Sequence, residues 1–270
     1  KMHAAEVIAT SGICLAGATA MKYAWMAVMS GQHEASVAAG SDLATALTRA
    51  SNFSAEADDK VDALEKRPEL AFEKDFLRWM LSDGAGAVLI ESAPRKDALN
   101  LRIDWIDIAS HAGDMETCMY AGAVKNDDGT ITSWTRMDRD ARDTQSALAI
   151  KQDVKLLNEE VIRYTLEKTL QPIVAKRGLK VEDIDHFLPH YSSNFFRDRV
   201  LAGLKNIGFV IPQERWFSNL NERGNTGAAS IYIMIDELIR SGRVERGQKL
   251  LCWVPESGRF SAGFIHLTAV

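Results

Sequence analysis

Cysteine is scarce in this sequence, with three widely spaced residues among 270. This spacing excludes the disulfide framework of small secreted proteins and favours a reducing cytosol. Basic charge is not in excess either, because 32 Lys and Arg stand against 37 Asp and Glu, for a net charge of −5. We therefore expect no nucleic-acid partner. The six histidines show no metal-ligand spacing with another His or Cys, so no metal is expected.

A long uninterrupted apolar run is also missing. The stretch 8–29 is rich in Ala and Met, but Glu6 and Lys22 break the pattern and a basic leader is almost absent. We expect neither a signal peptide nor a membrane span there, and a cytoplasmic location. What the chain does have is 46% apolar residues over a length that can bury a large core. This predicts one large α/β domain or a fused pair.

The most informative stretch is 223–230, which reads Arg-Gly-Asn-Thr-Gly-Ala-Ala-Ser. Gly224 frees the backbone just before Asn225, and small residues then open an apolar segment, 231–239. The pattern predicts a polar side chain on a tight turn at a helix N-terminus, where unpaired N–H groups and positive partial charge collect. An Asn in that place can donate a hydrogen bond to a carbonyl that is gaining negative charge.

Cys14 stands in a similar place. A buried strand is predicted over 4–9, followed by a Thr-Ser-Gly turn, the thiol, and a helix from Leu15 to Met29 that ends at Ser-Gly. This geometry exposes a nucleophile at a helix N-terminus, where the dipole and free N–H groups favour the thiolate. The alternative is a buried, inert thiol, and the residues alone leave both interpretations open.

His190 ends a third element. Residues 184–188 resemble a strand that Pro189-His190 terminates, and Ser192 or Ser193 can cap a helix over about 194–205. A His at the C-terminal end of a central strand lies where open α/β sheets place their ligands. An ordinary loop histidine is the alternative.

Three further segments complete the pattern. Residues 151–176 predict one long amphipathic helix, to which we assign a structural role. The charged stretch 51–74 predicts a solvated excursion. The Gly-Ala-Gly of 83–88 fits a phosphate-cradling turn weakly and a tight turn feeding a strand over 87–91 better.

The chain also repeats itself. Small residues, an apolar helix and Ser-Gly follow Cys14 and again follow Asn225, and in both copies the last glycine lies 17 positions further on. A strand comes next in each copy, over 35–40 and 250–254. Two strand–turn–helix–strand units suggest a duplicated α/β domain in which the two turns face each other.

Four motifs together carry a family resemblance: Cys14 in its small-residue turn, Asp-Gly-Ala-Gly-Ala from Asp83, Pro189-His190, and Gly-Asn-Thr-Gly-Ala-Ala-Ser from Gly224. Their order and separations resemble the β-ketoacyl-acyl-carrier-protein synthase III family of condensing enzymes over nearly the whole chain. The resemblance implies an α/β, thiolase-like fold with a duplicated five-layered α-β-α-β-α architecture. Residues 1–145 would be the remainder of the first repeat, with the nucleophile and the charged insert, and 146–270 the second repeat. The catalytic set carried over is Cys14, His190 and Asn225.

Two stretches depart from the family pattern. The family usually has Gln-Ala-Asn after its His, whereas Tyr-Ser-Ser follows His190 here. The family closes with three glycines and Phe-Thr-Trp-Gly, whereas 257–263 reads Ser-Gly-Arg-Phe-Ser-Ala-Gly. Arg259 stands where the last glycine would be, so its backbone N–H would form the oxyanion hole with that of Cys14. In these departures the chain resembles specialised relatives in secondary metabolism. The Pro-His-Tyr-Ser-Ser stretch from Pro189 is similar to that of enzymes that join two acyl chains into cyclohexanedione or dialkylresorcinol products.

The resemblance implies a ketosynthase that joins acyl thioesters by Claisen-type condensation through an acyl-Cys intermediate. Coenzyme A or phosphopantetheine thioesters would be substrates, with no cofactor, and acyl-CoA, acyl carrier protein and a second copy in a homodimer would be the partners. The alternatives are condensation with cyclisation, acyl transfer or hydrolysis without condensation, and a non-catalytic partner subunit. The presence of Cys14, His190 and Asn225 together counts against the last.

The first residue, Lys1, falls just ahead of the strand that leads to the nucleophile. A thiolase fold needs further strands and helices before that point, by the resemblance. Half a sheet without them exposes strand edges and apolar helix faces. We therefore expect the N-terminal part of the first repeat to come from a longer polypeptide or from a second chain.

Overall fold

The structure is a computed structural model that describes residues 5–49 and 77–270. The predicted excursion over 51–74 lies outside the described residues. The longer helices are α1 (Leu15–Met29), α4 (Val154–Ile162), α5 (Lys168–Arg177), α6 (Arg197–Asn206) and α8 (Ser230–Arg240). The short helices are α2 (Ala44–Leu47), α3 (Arg139–Thr144) and α7 (Leu220–Arg223). The longer strands are β1 (Ala35–Asp42), β2 (Gly84–Glu91), β3 (Leu101–Ser110), β8 (His186–Pro189), β9 (Lys249–Glu256) and β10 (Ser261–Ala269). The short strands are β4 (Met119–Tyr120), β5 (Ala123–Lys125), β6 (Ile131–Ser133) and β7 (Lys151–Gln152).

A four-stranded sheet forms the centre, in the order β3-β10-β9-β8. Strand β10 runs antiparallel to β3 and β9, and β8 runs parallel to β9. Successive side chains of a strand point to opposite faces. Leu251 and Trp253 of β9 accordingly join a hydrophobic cluster with α4, α5 and α6. Leu250 and Cys252 join a second cluster, on the other face, with α1 and α8.

A two-stranded antiparallel sheet, β1 with β2, lies on the far side of α1 and α8. Ala38 of β1 and Ile90 of β2 belong to the same cluster as those helices. The described layers therefore follow the order helices, sheet, helices, sheet, which is the alternation predicted for the thiolase-like fold. Strand β3 precedes residue 145 and pairs with β10, so the larger sheet draws on both predicted repeats. The boundary at residue 145 stays a prediction.

Three predicted elements are confirmed with close bounds. Helix α1 has the predicted ends, and Gly31 follows it with a positive φ of 74°. Strands β1 and β9 cover the two stretches that were expected to follow the repeated helices. Ser193 caps the segment after His190, since its hydroxyl accepts from the backbone N–H of Phe195 at 3.2 Å.

The predicted strand over 4–9 is wrong for the part that the structure describes. Residues 5–9 are exposed and adopt no regular secondary structure. A strand needs a hydrogen-bonded neighbour, and no described strand pairs with this segment. Val7 is 86% exposed as a result, although it was expected to be buried.

The single long helix predicted over 151–176 is also wrong in detail. Its first residues form β7, and α4 begins after Asp153, whose side chain accepts from the N–H of Leu156 at 2.9 Å. A π-helical stretch, Arg163–Glu167, then separates α4 from α5. The indole of Trp253 donates to the carbonyl oxygen of Thr165 at 2.8 Å, and a helix widens where such a group takes a carbonyl from the regular ladder.

Among the described helices, none combines the length and the apolar character that crossing a membrane requires.

Candidate active site

One pocket brings together the three residues predicted from far-separated parts of the chain. Cys14, His190 and Asn225 all line it. They arrive from the N-terminus of α1, the end of β8 and the turn before α8. The cavity among the described residues is small, about 50 Å³. Apolar side chains form much of its wall, namely Met80, Leu81, Met119, Leu157, Val161 and Pro255.

Cys14 occupies the N-cap position of α1 and is partly buried. The expected thiolate is wrong for this resting site, because burial raises the pKa of the Cys14 thiol to about 12. The nearby carboxylates of Glu256 and Asp42 raise the pKa further, and the hydrogen bond from the residue's own N–H only partly opposes them. The helix N-terminus is present as predicted, but desolvation and two negative charges outweigh it.

His190 follows β8 directly and is 5% exposed. Its backbone N–H donates to the carbonyl oxygen of Trp253 at 2.9 Å, which extends the pairing of β8 with β9 and fixes the imidazole at the pocket. Burial lowers the pKa of His190 to about 4. The imidazole is therefore neutral at neutral pH, and a neutral imidazole has one nitrogen that donates a hydrogen bond and one that accepts.

Asn225 is 2% exposed and sits on the turn that the sequence predicted. Gly224 has a φ of 72°, and a Cβ there would lie 2.1 Å from the hydroxyl oxygen of Ser82, so only glycine fits. The side-chain Oδ1 accepts from the N–H of Gly227 at 3.1 Å. This bond fixes which end of the amide is oxygen, and it leaves Nδ2 as the donor for a ligand in the pocket.

Asp42, which the sequence did not single out, fixes the turn from the opposite side. One of its carboxylate oxygens accepts from the N–H of Ala228 at 2.5 Å, in the short helical segment that follows Asn225. A Cβ on Gly227 would lie 1.9 Å from the same oxygen. Burial raises the pKa of Asp42, and the bond from Ala228 opposes that rise. No local signal identifies Asp42 in the sequence, because the N–H that it accepts from lies 186 positions away in the chain.

Glu256 was also missed, although it is hydrogen-bonded to Ile13, the residue before the nucleophile. Its side chain is 1% exposed and its Oε2 accepts from the backbone N–H of Ile13 at 2.8 Å. Its Oε1 accepts from Nε and Nη2 of Arg259, both at 3.1 Å. An acidic residue at the end of an otherwise apolar strand, 250–256, was the available signal, because a buried charge requires partners.

A polar pair interrupts the apolar wall of the pocket. The hydroxyl of Ser257 donates to Oε1 of Gln152 at 3.2 Å, and the Gln152 amide donates to the carbonyl oxygen of Cys118 at 3.0 Å. Both Gln152 and Ser257 line the pocket. Helix α4 contributes Leu157 and Val161 to the same wall, so the purely structural role that we expected for this segment is too narrow.

Only one of the two predicted oxyanion-hole residues lines the pocket. Cys14 lines the pocket, and the described lining includes Ser257 but not Arg259. The guanidinium of Arg259 reaches Glu256, and the next residue, Phe260, has a positive φ of 46°. The use of the Arg259 N–H as an oxyanion donor stays a prediction.

Comparison with known sequences identifies similar proteins. Residues 174–266 match the family described as 3-oxoacyl-[acyl-carrier-protein] synthase III, C-terminal. β-Ketoacyl-[acyl-carrier-protein] synthase III of Methylococcus capsulatus is 27% identical over 177 residues, which cover 64% of this chain and 46% of that protein. The chloroplastic synthase III B of Cuphea wrightii is 30% identical over 173 residues, which cover 62% of this chain and 40% of that protein. The chain is therefore similar in sequence to the synthase III-like condensing enzymes.

Solved structures of the synthase III-like family share the fold. A variant of OleA from Xanthomonas campestris superposes with a TM-score of 0.69 at 20% identity, over 95% of this chain and 64% of that one. The thiolase-like α/β fold predicted from the sequence is thereby confirmed. The chain spans about half the length of the curated relatives that it matches, and about two thirds of the length of the solved structures.

Proposed function

We propose that this synthase III-like chain carries the active site of a ketosynthase, which joins two acyl thioesters by a Claisen-type condensation through an acyl-Cys intermediate. The observation that carries the proposal is the convergence of Cys14, His190 and Asn225 on one pocket. A thiol, an imidazole and an amide donor are the groups that acyl transfer followed by enolate stabilisation requires. The apolar wall suits the carbon chain of an acyl group.

The first half-reaction moves the acyl group to sulfur. Cys14 attacks the thioester carbonyl, the C–S bond to coenzyme A or a carrier-protein thiol breaks, and the departing sulfur takes up the proton that Cys14 loses. Because the resting thiol is protonated and His190 is neutral, that proton has to move as the substrate binds. The neutral imidazole is the group in the pocket suited to relay it. Backbone N–H groups at Cys14 and Arg259 are the proposed donors to the tetrahedral oxyanion.

The second half-reaction forms the carbon–carbon bond. A malonyl thioester enters and loses carbon dioxide, or a β-ketoacyl thioester enters and loses an α-proton to solvent, and in both cases the thioester carbonyl oxygen gains negative charge as the carbanion forms. Nδ2 of Asn225 and an N–H of His190 donate hydrogen bonds to that oxygen. The carbanion then attacks the acyl-Cys carbonyl, and the Cys14 sulfur leaves and is reprotonated.

Product analysis tests this proposal. The full polypeptide is incubated with an acyl-CoA together with malonyl-CoA or a β-ketoacyl thioester, and the products are separated by mass. We expect a lengthened keto chain, and loss of that product in the Cys14→Ala variant. A free acid from both substrates, with no lengthened product, would instead show transfer to water without condensation.

A further inference from the structure

The buried carboxylate of Glu256, next to the turn that leads to Cys14, has no part in the reaction proposed above. Glu256 is 1% exposed at the end of β9, a strand whose other residues are largely apolar and buried. Carboxylates are almost never so fully buried unless they are paired. Its two oxygens divide their partners, since Oε2 accepts from the N–H of Ile13 and Oε1 accepts from both Arg259 nitrogens.

The bond to Ile13 acts on the nucleophile turn. The bond of 2.8 Å holds the N–H of the Gly12–Ile13 peptide, one residue before Cys14, and so restrains the turn that leads into the nucleophile. Gly12 makes this approach possible, because a Cβ at that position would lie 2.9 Å from Oε2 of Glu256 and 3.3 Å from Nη2 of Arg259. The turn and the ion pair are thus packed against each other.

Arg259 balances the buried charge from the solvent side. Its side chain is 56% exposed, whereas that of Glu256 is 1% exposed, so the ion pair joins a buried carboxylate to a solvent-exposed guanidinium. A buried carboxylate without such a partner would be strongly destabilising. The salt bridge of 3.1 Å therefore gives the buried Glu256 side chain a counter-charge.

We propose that Glu256 is a positioning residue for the nucleophile, holding the turn at Ile13 so that the Cys14 sulfur faces the pocket, with Arg259 as its counter-charge. This inference rests on the role of Cys14 in the proposed function. The negative charge also acts on the thiol itself, because the Glu256 carboxylate is one cause of the raised pKa of Cys14. Within the described part of the chain, Asp42 of β1 also raises the pKa of that thiol, and His190 from the end of β8 lines the same pocket.

Alkylation of Cys14 by iodoacetamide for a fixed time, at pH values between 7 and 11, tests the charge without any acyl substrate. The alkylation midpoint is the pH at which half of Cys14 is labelled in that time, and below the thiol pKa of about 12 it follows the thiolate fraction. Labelled Cys14 is quantified by peptide mass spectrometry, which separates it from buried Cys118 and Cys252. In Glu256→Gln the amide oxygen still accepts from Ile13, but the charge is lost. We expect the alkylation midpoint to move to lower pH, and labelling at pH 8 to become about tenfold faster for every pH unit that the midpoint falls.

Two other variants separate position from charge. Glu256→Asp keeps the charge but falls short of Ile13, so we expect acylation by an acyl-CoA to slow by more than about tenfold while the alkylation midpoint does not move to lower pH. Arg259→Gln removes the counter-charge of the Glu256 carboxylate, so we expect the midpoint of Cys14 alkylation in this variant to move to higher pH. Asp107→Asn, which removes a carboxylate that is paired with Lys176 and Arg177 and does not line the pocket, is the control and is expected to match the wild type.

Thermal unfolding shows which variants fold. Only the folded variants are used to test the charge effect and the positioning role of Glu256. Unchanged alkylation profiles in Glu256→Gln and Arg259→Gln would overturn the charge effect. Acylation by Glu256→Asp at the wild-type rate would overturn the positioning role. Because alkylation needs no condensation, a chain that shows the expected changes in midpoint but forms no lengthened product would contradict the proposed function and leave this inference intact.

Discussion

The hydroxyl of Tyr232 donates a 2.7 Å hydrogen bond to the carbonyl oxygen of Gly17. This bond joins the first turn of α8 to the first turn of α1. A Cβ on Gly17 would lie 2.1 Å from the carbonyl oxygen of Ala228, so the two segments touch backbone to backbone. The helix N-termini that carry Cys14 and Asn225 are thereby brought to one place, with the positive ends of both helix dipoles at the pocket.

Gly17→Ala tests this contact. The added methyl group meets backbone rather than a movable side chain, so we expect the free energy of unfolding to fall by about 1–3 kcal/mol. Urea denaturation measures the change. Gly113→Ala is the matched control, since nothing lies within 4 Å of its Cβ position, and it is expected to change stability by less than about 0.5 kcal/mol. Equal stability of the two variants would show that the helices are not held this closely.

Asn225→Ala separates the two half-reactions. Removing one oxyanion donor typically costs about 10²–10³ in rate, so condensation should fall by that factor while acylation of Cys14 continues. Single-turnover measurements with each substrate report the two steps.

Asn225→Asp is the matched companion of that variant. It keeps the oxygen that accepts from Gly227 but replaces the donor nitrogen. We expect a similar loss of condensation with the turn preserved. Condensation at the wild-type rate in the Asp variant, or equal loss of both half-reactions in the Ala variant, would contradict the role assigned to Nδ2.

Burial of His190 makes stability depend on pH. Its pKa falls from 6.5 in the unfolded chain to about 4 in the folded one, so between these values the unfolded chain binds the extra proton. Above about pH 6.5 this effect does not reduce the free energy of unfolding. As the pH falls to about 4, the free energy of unfolding decreases by about 3 kcal/mol. Urea denaturation of wild type and His190→Gln at several pH values measures it. The variant should show the smaller decline, and parallel curves would mean that His190 is not desolvated.

Local pattern was enough to place the three candidate site residues. A glycine before a polar residue, small residues after it, and an apolar helix ending at Ser-Gly describe the surroundings of both Cys14 and Asn225 in short stretches of sequence. The strand ended by Pro189-His190 supplied the third. These signals are local because turns and helix ends are set by their own residues.

The parts that could not be predicted depend on distant contacts. The protonated state of Cys14 results from burial together with Glu256 and Asp42, which lie 242 and 28 positions away in the chain. The π-helical stretch depends on the indole of Trp253, and the predicted strand over 4–9 depends on a pairing that no described strand supplies. Apolar periodicity carries none of this information, because it reports which face is buried and not against what.

Mass spectrometry of the intact full-length protein, after incubation with a panel of acyl thioesters, tests the central claim most directly. The account predicts a mass increase of one acyl group for an accepted substrate, mapped to Cys14 by peptide analysis and absent from the Cys14→Ala variant. A chain that remains unmodified by every thioester, or that carries the acyl group on Cys118 or Cys252 instead, would contradict it.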